Sequence, residues 1–177
     1  MQVDAQPTAE LSLVAKLIEE MEVAMLTTVG DDGALVSRPV APLKMDRSGA
    51  IWFFTDIRSE KIEHLRQLNV GFSDEARSTY VSVSGHGEVD AERARIRELW
   101  TPMAKPWFPE GPDSPNLALL RFVPHSAEYW DAPGSRMVRL VSMAVSAVSG
   151  RPVGLGDHGT VDNLQPPAGQ PPHGAAL

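Results

Sequence analysis

The sequence contains no cysteine. That excludes disulfides, thiol nucleophiles and thiolate metal ligands together. Positive charge is scarce: 16 lysines and arginines face 23 aspartates and glutamates, a formal net charge of −7. A nucleic-acid module would show a basic face, and an anionic lipid surface would repel this balance, so neither partner is expected. No apolar run is long enough to cross a bilayer. The opening decapeptide MQVDAQPTAE lacks the basic segment and apolar stretch of a secretory signal. His125, His158 and His173 form no ligand spacing such as H-x-x-x-H, so no metal site is expected. These absences leave a soluble, cytoplasmic protein as the expectation.

What is present suits one domain with a real core: 177 residues of ordinary globular composition. Leu11, Val14, Leu17, Ile18 and Met21 recur at helical spacing, with Thr8 as N-cap. Strands are expected at Val23–Val29 and Ala34–Leu43, joined by the turn Gly30–Gly33, whose Asp31 and Asp32 read as turn chemistry. Because proline cannot donate to a ladder, Pro39 and Pro42 imply that the second strand is interrupted or has an open edge. Ala50–Thr55 is the third strand, followed by a helix from Ser59 to Leu68. Further strands are expected at Val70–Asp74, Thr79–Val89, Leu117–Val123 and Glu128–Trp130. Gly85 and Gly87 imply a bulge or close approach by another backbone or a ligand. Ala91–Met103 reads as a charged helix with a solvated face of Glu92, Arg93, Arg95, Arg97 and Glu98. The proline-rich loop Lys105–Pro115 carries Trp107 and Phe108, and Arg136–Ser149 has helical spacing. The chain divides into one domain, 1–164, and a Pro/Gly/Ala tail, 165–177, expected to be disordered. The fold expected is α+β: about six antiparallel strands in a barrel-like sheet with peripheral helices.

The stretch IWFFTDIRSEKIEHLRQL, Ile51–Leu68, holds the most chemistry. A strand runs into a helix start crowded by Thr55, Arg58, Ser59 and Lys61. Unpaired N–H groups and the helix dipole favour an anion there, and two cations with two hydroxyls would cradle a phosphate. The same residues also fit a plain helix start, with Asp56 or Ser59 as cap and Arg58 and Lys61 in water.

The succession TTVGDDGALVSRPV, IWFFTDIRSEKIEHLRQ, YVSVSGHGEV and AEYWD resembles the FMN-binding split β-barrel proteins related to pyridoxamine 5′-phosphate oxidase, in particular their bacterial general stress branch. The likeness runs from about Leu11 to Leu164 and is most specific over Arg38–Lys61. It implies an antiparallel six-stranded split barrel, a homodimer and FMN at the subunit boundary. By the resemblance Arg38 meets the flavin, Phe54 and Thr55 lie along the ring and phosphate arm, and Ser59 and Lys61 hold the phosphate. The oxidase has a basic residue where this chain has Glu60, a charge that Arg58 would have to replace. The oxidase's C-terminal arginine-x-histidine cluster has no match, so pyridoxamine phosphate oxidation is not expected.

The residues support the same cofactor on chemical grounds. FMN needs a dianion receptor, a flat apolar slot and donors for the ring edge. The Arg58–Ser59–Lys61 turn suits the first need. Phe54, Trp52 and a distal tryptophan suit the second. Ser37, Arg38 and backbone groups around Pro39 and Val40 suit the third. Trp107 and Trp130 read either as flavin walls from a partner chain or as core and interface aromatics. His86 between two glycines reads as a surface or hydrogen-bonded histidine, and His64 as part of a solvated face. No residue stands out as a catalytic acid or base, which a flavin's own redox chemistry permits. Two functions follow: an oxidoreductase fed by a reduced nicotinamide or another donor, or a flavin-holding stress or sensor protein without turnover. A split barrel for a deazaflavin or haem is a third.

Overall fold

Residue alternation at period two builds most of this chain. In the computed structural model the described residues are 1–59, 62, 64–131, 157–162 and 164. Helix α1 (Ala9–Ile18) starts where Thr8 Oγ1 accepts from the Leu11 N–H at 3.2 Å. It buries Leu11, Val14, Ala15 and Ile18, the stripe that helical spacing predicts. Nine strands form one sheet: β1 (Gln2–Val3), β2 (Ala24–Val29), β3 (Leu35–Val40), β4 (Pro42–Met45), β5 (Ile51–Asp56), β6 (Leu68–Asp74), β7 (Thr79–Asp90), β8 (Leu117–Asp131) and β9 (Asp157–Asp162). Their order is β1-β4-β5-β8-β7-β6-β2-β3, with β9 beside β8. The terminal strands of that path, β1 and β3, do not pair among the described residues, so the sheet is a curled half-barrel.

The count and direction of strands correct the expectation of six antiparallel ones. β1 pairs β4 in parallel, so the sheet is mixed. The strand expected over Ala34–Leu43 is two strands, because the chain turns at Ala41 between Pro39 and Pro42. The two late strands are one, β8, kept continuous across Pro124 by a register shift opposite Ser84 and Gly85. There a Cβ on Gly85 would sit 2.2 Å from the Val123 carbonyl oxygen, so only glycine permits the approach. The helix expected over Ser59–Leu68 is not formed by the described residues. Ile62 N–H bonds the Ser59 carbonyl three residues back, and β6 already begins at Leu68. The charged helix contracts to α2 (Arg93–Leu99) and a separate 3₁₀ turn, Pro102–Ala104. The expected helix Arg136–Ser149 and the tail from Gln165 lie outside the described residues.

Two cores follow from the alternation. Ile51 and Phe53 face the inside of the curl with Leu26, Val70, Val83, Leu120 and Phe122, against α1. Trp52 faces outward with Leu117 and Leu119, under Ile96 and Leu99 of α2 and Ala104 and Phe108 of the loop that follows. Among the described residues no helix is long and apolar enough to cross a membrane.

Candidate functional site

β3 is the last strand of the path, and its pairing with β2 fixes where its side chains point. Directly opposed residues of an antiparallel pair share a face. Arg38 lies opposite Leu26, which is fully buried, so Arg38 is on the inner face. Its side chain is half-buried and makes no hydrogen bond or ion pair among the described residues. Val40, opposite Ala24, shares that face. Pro39, opposite Met25, is exposed on the other, where Thr27 and Ser37 join hydroxyls at 2.7 Å.

On β5 the alternation places Thr55 inward, 2% exposed, after Ile51 and Phe53. Thr55 Oγ1 is buried with no hydrogen-bond partner among the described residues. Most buried hydroxyls in folded proteins are satisfied, and one left alone costs free energy. Phe54 points outward, half-buried, its ring 5.6 Å from that of Trp100. Beyond β5, Ser59 N–H bonds the Asp56 carbonyl at 3.0 Å. Arg58 is exposed and gripped by Asp56, Nε to Oδ1 at 3.1 Å and Nη2 to Oδ2 at 2.8 Å. That hydrogen bonding raises the guanidinium's pKa above its ordinary value. With its amide turned so that the oxygen faces the guanidinium, Asn116 also accepts from Arg58, at 3.1 and 3.0 Å. The cation expected to stand in for Glu60 is therefore engaged elsewhere. Glu60 and Lys61 themselves lie outside the described residues.

Covalent continuity ties β3 to the neighbourhood of β5. β3 runs through Ala41 into β4, and Pro42 sits opposite Phe53, two residues before Thr55. Along the paired strands the two segments differ: Val40 lies in the row of Ala24, Phe72, Val81 and Tyr129, and Thr55 lies opposite Ala118 near the start of β8. The tryptophans are placed differently. Trp107 is 76% exposed on the loop whose next residue, Phe108, is buried in the outer core. Trp130 is 42% exposed near the far end of β8. Thr55 is opposite Ala118, and Trp130 follows twelve residues later on the same strand. That is on the order of 40 Å along a straight strand.

Other constellations were not foreseen. A groove of about 680 Å³ is lined by Lys44, Trp52, Glu88, Arg95, Glu98 and Arg121, among others. Trp52, a candidate slot wall, is only 5% exposed and lies between guanidiniums, Arg95 at 5.0 Å and Arg121 at 5.9 Å. Its indole N–H donates to Asp46 Oδ2 at 2.7 Å. Burial pushes the Asp46 carboxyl up, but hydrogen bonds from Ser48 and Trp52 outweigh it and hold the pKa below its ordinary value. His86 is hydrogen-bonded, Nδ1 to His125 Nε2 at 2.7 Å. Desolvation and then the neighbouring His86 push the His125 pKa down. The solvated face expected on α2 is instead a clamp. Arg93 donates to the carbonyls of Ser114, Pro115 and Leu117, and Arg97 pairs with Asp113. Each pairing joins residues far apart in sequence, so no local pattern announces it.

The chain is similar to one family and to three known proteins. Residues 9–153 match the model of the family described as pyridoxamine 5′-phosphate oxidase like. The Neurospora crassa protein bli-3 is 26% identical over 141 residues, which span 72% of this chain and 67% of that protein. Among solved structures, the general stress FMN/FAD binding protein of Xanthomonas citri is 31% identical, with a TM-score of 0.59 over 70% of this chain and 90% of that one. A general stress protein 26 candidate from Jannaschia sp. is 26% identical, with a TM-score of 0.69 over 88% of this chain and 99% of its own.

Proposed function

This chain belongs to the pyridoxamine 5′-phosphate oxidase-like family, and from that premise we propose that it is an FMN-binding protein of the general stress branch, working as a flavin-dependent oxidoreductase on a small molecule. One observation carries the reading. Among the described residues two inward-facing polar side chains of the Arg38–Ser59 stretch stand unpartnered, the buried Thr55 hydroxyl and the half-buried Arg38 guanidinium. Such groups fit a ligand with a phosphate arm and a polar ring edge. The Xanthomonas citri relative, by name an FMN/FAD binding protein, supports a flavin.

Thr55 would donate its hydroxyl to the phosphate arm, and Ser59 and Lys61 would complete that grip. The grip would be made by side chains, since the described residues form no α-helix there and the Ser59 N–H is taken by the Asp56 carbonyl. Arg58 stays with Asp56. Arg38, with backbone groups at Pro39 and Val40, would meet the ring edge and favour its reduced, anionic form. Phe54 would lie along the cofactor. The bound flavin would supply the redox chemistry, accepting a hydride from a reduced nicotinamide or electrons from another donor. Trp107 and Trp130 would come from a second copy, since Trp130 lies twelve residues along β8 from Ala118, the partner of Thr55. The working unit is then a homodimer with flavin at the subunit interface.

The test is a titration of ligand-free protein with FMN and with riboflavin, followed by absorbance and flavin fluorescence. FMN binding much tighter than riboflavin is expected, and binding of neither would overturn the cofactor. Lys61→Ala should weaken FMN by roughly 1.5–3 kcal/mol, the scale of a hydrogen bond to a charged group, and unchanged affinity would remove Lys61 from the site. Anaerobic NADH or NADPH should then bleach the bound flavin. Reduction by dithionite alone would point to a flavin-holding protein without turnover.

A further inference from the structure

Strand β9 begins at Asp157, beyond residue 153 where the family match ends. It occupies the half of β8 that β5 leaves open. β5 pairs Leu117–Phe122 of β8, and β9 pairs Ser126–Asp131. Its register is fixed at two places on one face. Tyr129 lies over Gly159, where a Cβ would meet the ring atoms at 2.6 Å. Below it Val161 and Leu164 are buried in the main core, and Leu164 N–H bonds the His125 carbonyl at 3.0 Å. A shift by one residue would drive Tyr129 into a side chain, so the pairing is pinned.

That register puts His158 opposite Trp130, and Tyr80 of β7 is opposite Trp130 from the other side. The three rings therefore share one face. His158 and Trp130 have ring centroids 5.2 Å apart, tilted by 34°. All three side chains are exposed. An exposed indole on a strand ordinarily samples several rotamers, and a ligand that needs one of them must freeze it. A ring already stacked on its flank removes much of that cost.

We propose that His158 is a positioning residue for Trp130, holding the indole in the orientation in which it meets the flavin ring of the opposite copy. The inference rests on the reading of Trp130 as a flavin wall, and it adds a residue from a segment outside the family match. Its warrant is the stacked geometry and the double anchoring of β9.

The experiment compares His158→Ala and His158→Phe with the unaltered protein, using Trp130→Phe to isolate the emission of Trp130 from the other tryptophans. Without ligand, His158→Ala should shift the Trp130 emission and lower its anisotropy, while His158→Phe keeps both. FMN affinity should fall roughly two- to tenfold in His158→Ala and recover in His158→Phe, as expected for one stacked pair. Unmoved Trp130 emission in ligand-free His158→Ala overturns the positioning role. A moved emission with unchanged FMN affinity overturns it too, and a loss of affinity in Trp130→Ala would then leave the flavin reading standing. Should neither Trp130→Ala nor His158→Ala alter FMN affinity, the flavin wall itself fails and the inference with it.

Discussion

Thr55 sets the ligand-free protein against the loaded one. Its hydroxyl is buried at 2% exposure and lacks a partner among the described residues. An unsatisfied buried hydroxyl costs roughly 1–3 kcal/mol. Valine has nearly the same shape and no polar atom. Thr55→Val should therefore leave the ligand-free protein as stable or more stable, by up to about 2 kcal/mol, in urea unfolding. The same change should weaken FMN by roughly 1 kcal/mol, because the donor to the phosphate arm is gone. Opposite signs for stability and affinity are the signature of a group held unsatisfied for a ligand. Parallel losses would make Thr55 an ordinary packing residue.

At the scale of elements, the turn between β4 and β5 hangs on one carboxylate. Asp46 accepts from Ser48 N–H at 2.8 Å, Ser48 Oγ–H at 2.5 Å and the Trp52 indole at 2.7 Å. These bonds outweigh burial and hold its folded pKa below the unfolded value. The unfolded chain then takes up the proton first, so the stabilisation is present above about pH 4 and is lost as pH falls through the folded pKa. Asp46→Asn should cost about 2 kcal/mol near neutrality, and that difference in melting temperature should shrink as pH is lowered past about 4. A difference that stays constant with pH would mean the turn does not use the charge. β9 gives a second expectation. Leu164 is 2% exposed in the main core, so Leu164→Ala should cost about 2–5 kcal/mol in urea unfolding. Elements of this kind separate what sequence reveals from what it hides. α1, the Gly30–Gly33 hairpin and the Gly85 bulge were readable because their signals are local: a 3.6 period, turn residues, a missing Cβ. The continuity of β8 and the addition of β1 and β9 were not, since pairing partners up to 52 positions apart decide them. The candidate site divides the same way. Residue types in the Arg38–Lys61 stretch pointed to a phosphate ligand, but the capture of Arg58 by Asp56 and the isolation of Thr55 needed coordinates.

For the whole molecule, the question is how Trp130 could share a ligand with Thr55 when about 40 Å of strand separates them. In the homodimer proposed above, β3 would be the surface that meets the second copy. It is a terminal strand with Leu35 72% and Val36 45% exposed, beside Met25 at 43%. Pro39 withholds an N–H from that edge, so strand-to-strand extension is discouraged and packing through side chains is favoured. In a two-fold dimer each site would then take Arg38 and Thr55 from one copy and Trp130 from the other. Mixing two damaged chains tests this without any structure of the dimer. Arg38→Ala and Trp130→Ala should each weaken FMN binding alone. After equal amounts are unfolded and refolded together, half the dimers should be mixed, and each mixed dimer should contain one doubly damaged site and one intact site. Roughly a quarter of all sites should therefore regain the unaltered affinity, visible as a high-affinity phase in an FMN fluorescence titration. If each site is built within a single chain, every site in the mixture carries one of the two substitutions and no such phase appears. The amplitude of that phase thus decides whether the ligand is held by one chain or by two.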